Sequence, residues 1–81
     1  MYHGVSLYKY IKVDTVSDQE THRYWITYNT TLGLGHIYRQ RGSKYWKAVS
    51  DLFTVPDYNH RTRQMAAHAL FTAHSVIPIL P

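Results

Sequence analysis

Cysteine is missing from all 81 residues. That excludes a disulfide framework and a thiolate metal site, two staples on which small domains often rely. Acidic side chains are scarce: five Asp/Glu stand against nine Lys/Arg, a net charge of +4. The excess is too small for a nucleic-acid-binding arm, but it is unevenly spread. Asp14, Asp18 and Glu20 fall in one early stretch, whereas Arg39, Arg41, Lys44, Lys47, Arg61 and Arg63 come later. Long apolar runs are absent. No stretch approaches the ~20 residues of a membrane span, and the opening MYHGVSLYKYIKV lacks the basic start and apolar run of a secretory signal. A cytoplasmic setting with no membrane partner is expected.

The chain also lacks the motifs of catalysis. There is no cysteine nucleophile, no G-x-S-x-G elbow and no phosphate loop, and Gly33-Leu34-Gly35 has neither the third glycine nor the helix start of a dinucleotide site. The early acids sit in a polar stretch that gives no reason for perturbed ionisation. Six histidines are present, but His60, His68 and His74 miss the i, i+4 spacing of helical metal ligands. No enzyme activity, cofactor or metal is expected.

What the chain does have is aromatic mass: eight Tyr, two Trp and two Phe. Each can bury roughly 150–250 Å², enough to build a core in one small domain without staples. β-Branched and aromatic residues predict strands over 5–13, 23–29, 36–41 and 44–50. Polar residues 14–22, the glycines of TTLGLG and the pair Gly42-Ser43 supply the reversals. In the second strand Trp25 and Thr27 share one face, and Tyr24, Ile26 and Tyr28 the other. In the third and fourth, Tyr38, Trp46 and Ala48 are expected on the core face. Ile37, Arg39, Arg41, Tyr45 and Lys47 are then expected opposite.

Pro56 interrupts pairing. Asn59 is a candidate N-cap, and a helix is predicted over 60–76, stopped by Pro78. At 100° per residue, Met65, Ala66, Ala69, Leu70, Ala73, Val76 and Ile77 fall in an arc of about 140°. The pattern predicts an α+β domain: an antiparallel meander of three to four strands, one face covered by a C-terminal helix and the other open.

Residues 36–70 carry Arg39-Gln40-Arg41, Lys44, Trp46-Lys47-Ala48 and Met65-Ala66-Ala67. This stretch resembles the AP2-type DNA-binding domain of plants. The wider run of Trp25, Leu34-Gly35-His36-Ile37-Tyr38-Arg39, Gly42, Trp46, Ala48, Ala66, Ala69 and Leu70 resembles small phage and actinobacterial β-β-β-α modules. The likeness implies a phage-encoded protein whose outward Arg39 and Arg41 contact DNA while Trp46 packs under the helix. The chain departs from the AP2 pattern at Tyr45, inserted between Lys44 and Trp46, and at Leu52 to Val55, where a glycine-aromatic turn is expected.

Two partner classes follow. DNA is one. Arg39, Arg41, Tyr45 and Lys47 would line the open sheet face, with Arg61 and Arg63 at the helix start, where cations oppose the helix dipole and favour an external anion. A protein partner is the other, a host protein or a second copy. Phe71 stands opposite the helix's apolar arc beside His68, and Tyr24 and Tyr28 add tyrosines of the kind that interfaces favour.

Overall fold

The computed structural model describes residues 7–29 and 31–75. They form an antiparallel four-stranded meander, β1 (Tyr8–Val13), β2 (Glu20–Tyr28), β3 (Leu32–Gln40) and β4 (Trp46–Val49), followed by helix α1 (Arg63–Ser75). The α+β class read from the sequence is the class observed. The expected strand positions at Val5 and Ser6, the helix position Val76 and the tail from Pro78 to Pro81 lie outside the described residues.

β2 and β3 begin earlier than their side-chain chemistry suggests, because two bulges carry the pairing through polar and glycine-rich sequence. One falls between Ile26 and Thr27, opposite Gly35 and Gly33, and leaves Leu34 as the extra residue. Leu34 is fully buried in the core. The other falls between Glu20 and His22, and shifts which face Glu20 occupies. At the β2–β3 turn Asn29 adopts a left-handed φ of 54°, which asparagine tolerates.

Helix α1 packs over β3 and β4. Ile26, Leu34, Ile37, Trp46, Ala48, Ala66, Ala67 and Leu70 form the core. Three expectations need correcting. First, Ile37 belongs to the core face and Tyr38 to the open one. Cross-strand partners share a face, and the register sets Ile37 against Ala48, Tyr38 against Lys47 and Arg39 against Trp46. The strand faces drawn from the sequence are therefore out by one residue in β3. Second, the helix starts at Arg63, not near 60. Thr62 is its cap: the Thr62 Oγ1 accepts from the Met65 N–H at 3.1 Å, a bond worth about 1 kcal/mol. Asn59 lies outside because His60 is held in extended backbone, bridging both ways to Trp46 at 2.7 and 2.9 Å. Third, the buried face of α1 is Ala66, Ala67, Leu70 and Ala73, flanked by half-buried Phe71, while Met65 is half exposed. That is a turn of roughly 80° from the predicted arc. Alanines weigh too little in the sequence pattern to fix the face.

Phe71 is thus half-buried rather than exposed. It stacks on Tyr28 with ring centroids 4.5 Å apart and meets Tyr8 edge-on at 6.3 Å. Tyr24 and Tyr28 are likewise half-buried on the core face. His68 is exposed, but its Nδ1 lies 3.0 Å from the Tyr8 hydroxyl. Of the four protein-interface candidates, Phe71, Tyr24 and Tyr28 pack partly against their own core, because a short core recruits the tyrosines of β1 and β2 along the flank of the helix, and His68 stays exposed. No helix of the described residues is long and apolar enough to cross a membrane.

Candidate functional site: a basic and aromatic surface at the helix N-terminus

The cations singled out in the sequence do not line the open sheet face together. Arg39 projects to the helix side with its cross-strand partner Trp46. Its guanidinium lies 6.0 Å from the Trp46 ring, and its Nε donates to the Ser43 carbonyl at 3.0 Å. Arg41 lies in the β3–β4 turn and donates from Nε to the Asp18 carbonyl at 2.7 Å. Lys47 does sit on the open face, but its Nζ is paired with Asp57 at 2.8 Å. Of the six nucleic-acid candidates, Lys47 is therefore the one the fold takes away from the others.

The remaining five gather at one end of the molecule. This is the end where β3 leaves the sheet, β4 enters it and α1 begins. The His60–Trp46 bridge lays the segment before the helix along the edge of β4. That brings Arg61 beside Lys44 and Tyr45, and the three line a cleft of about 280 Å³. Two residues on, the Arg63 guanidinium lies over two rings at once, 5.6 Å from Tyr10 and 5.4 Å from Tyr24. His22 stands 6.2 Å from Trp46.

The electrostatics are one-sided. Among the described residues two ion pairs form, Arg23–Glu20 and Lys47–Asp57, and none of the cations at this end enters either. The first turn of α1 carries no acid, so nothing on the helix answers its positive end. The early acidic loop borders the surface at Asp18, which offers Arg41 a main-chain carbonyl. Cations on aromatic faces are held in place at small cost, with their remaining N–H groups directed outward. Such a surface can take phosphate oxygens and stack a base or a planar side chain.

Sequence reasoning missed a second cluster, on the open face. Arg23 is buried, forks onto Glu20 at 2.8 and 2.6 Å, and donates to the His36 Nδ1 at 3.1 Å. Its guanidinium also lies 4.8 Å from the Tyr38 ring. Trp25 meets His36 edge-on at 5.3 Å. Glu20 and Arg23 are three apart, so a regular strand would put them on opposite faces. The bulge at Glu20/His22 turns the carboxylate to the side of Arg23. No spacing in the sequence announces this. The Arg23 guanidinium holds the Glu20 carboxyl below its ordinary range, and Glu20 in turn raises Arg23. Among the described residues no group of three or more His, Asp or Glu converges as metal ligands would.

His36 and His60 share one property. Burial holds each imidazole below its usual value, assisted by Arg23 at His36 and by Lys47 at His60. The folded chain therefore refuses protons that the unfolded chain accepts near pH 6.5. Their contribution to stability is present above pH ~6.5 and is lost as pH falls toward the two lowered values. Thermal melts should show a declining Tm between pH 7.5 and 5.5, and His36→Gln should flatten part of that decline. A parent melting temperature that stays constant across this range would contradict the assignment. No family model, no curated protein and no solved structure matches the chain.

Proposed function

We propose that the protein is a small non-enzymatic domain that binds DNA, and that its contact surface is the helix-side end of the sheet rather than the open face. Arg39, Arg41, Lys44, Arg61 and Arg63 supply the phosphate contacts, and Tyr45 lies among them. The observation that supports this reading is the gathering of five cations with aromatic rings around an acid-free helix start, none of them ion-paired among the described residues.

Phosphate binding releases counterions, so affinity should fall with salt by about 0.9 log units per decade for each phosphate neutralised. Four or five contacts predict a slope of about −3 to −5 for a random duplex, with micromolar binding at low salt. Fluorescence anisotropy measures both. Replacing Arg39 and Arg41 together should abolish the binding, whereas Lys47→Ala should leave it nearly unchanged, because Lys47 lies on the other face. A parent that ignores DNA at low salt, or a double variant that binds as the parent does, would sink the proposal.

A further inference from the structure

The open face of the sheet carries a different kind of surface. One cross-strand row spans all four strands: Ile11, Trp25, His36 and Val49. Ile11 and Val49 are exposed, and the loops add Val16 and Leu52, which are 72 % and 77 % exposed. Val16, Trp25, Val49 and Leu52 help line a cleft of about 530 Å³ floored by Arg23 and His36. Isolated exposed apolar residues mean little, but a contiguous patch on a sheet face that no helix covers marks a contact.

We propose that this face is the contact between two copies of the chain, packed sheet to sheet about a two-fold axis. The face is self-complementary in shape, since it offers a cleft together with the projecting Val16 and Leu52 on its rim. It is self-complementary in charge as well. Lys9 lies on β1 at one side of the sheet, and Asp51 follows β4 at the other. A two-fold axis running along the strands sets the β1 side of one copy over the β4 side of the next, so each Lys9 meets the partner copy's Asp51. Size permits it. The molecule is a plate of 41 × 38 × 20 Å, and its broad face exceeds the roughly 500 Å² per copy that a specific interface needs. A chain of 9.5 kDa with one sheet face that no helix covers gains on pairing the burial that its own short core does not supply.

Sedimentation equilibrium from about 1 to 500 μM, which spans the range for an interface of this size, tests it. The parent should pass from 9.5 kDa to twice that mass. Val16→Asp and Leu52→Asp should each hold the chain at 9.5 kDa throughout. Both residues are solvent-exposed, so a circular-dichroism spectrum matching the parent's shows that the fold is kept. Met65→Lys, an exposed apolar site away from this face, should dimerise as the parent does. A parent that stays at 9.5 kDa throughout, or charged variants that still double in mass, overturns the proposal. Capture of some other protein on this face without self-association overturns it too. The outcome is separate from DNA binding, because neither Arg39 nor Arg41 lies on the dimer face.

Discussion

Glu20→Gln should lower the stability of the domain by about 3 kcal/mol, because it strands a buried cation. Arg23 forks onto the Glu20 carboxylate at 2.8 and 2.6 Å, and both side chains are nine-tenths buried. A glutamine can still accept one hydrogen bond, but it no longer neutralises the guanidinium. His36, the other close partner, is itself kept neutral by burial and by Arg23 and cannot substitute. At 4–8 °C per kcal/mol for a domain of this size, Tm should fall by roughly 12–24 °C. The double variant Glu20→Leu/Arg23→Met should recover most of the loss, since a buried ion pair and a well-packed apolar pair differ little in stability. If Glu20→Gln melts within a few degrees of the parent, the pair is effectively solvated and the cluster is surface decoration. The carboxylate's contribution is complete at neutral pH and lost as pH falls through its lowered value. Glu20→Gln should therefore also weaken the dependence on pH below about 4.5.

Gly35→Ala should be about as damaging, at roughly 3 kcal/mol, for two reasons that add. The backbone there has φ near +151°, where L residues are strained. A methyl group would also run into the Val49 carbonyl, with Ser50 and Leu70 atoms 3.1 and 3.2 Å away. Gly42→Ala provides the control. Gly42 has φ of +81° but open space around it, so only the conformational term of about 1 kcal/mol applies. Chemical denaturation of the two variants separates the terms. Equal losses at the two sites would show that the contact between β3, the end of β4 and α1 is looser than described.

The order of elements was legible because each strand announces itself with β-branched and aromatic residues, and because Pro56 divides sheet from helix. The helix face was not legible, since Ala66, Ala67 and Ala73 bury well yet carry little hydrophobic signal, and Phe71, opposite the predicted arc, stacks on Tyr28, which no helical pattern reveals. The basic residues of the site were legible as a cluster along the chain, but their face was not. Arg39 and Lys47 alternate correctly within their own strands, and only the register, Arg39 against Trp46 and Tyr38 against Lys47, shows that they point apart. The Glu20–Arg23 pair was hidden for a related reason: a single extra residue in β2 turns a carboxylate that alternation would send the other way.

The helix that covers β3 and β4 follows them in the chain, and this order matters during folding. All three strand pairings join neighbours in sequence, so the meander can zip up from hairpins as soon as each strand emerges. Until α1 has docked, however, Ile26, Ile37, Trp46 and Ala48 have nothing to lie against. The nascent sheet then shows apolar residues on both sides. The interval between forming the sheet and docking α1 is when the chain is most exposed to aggregation.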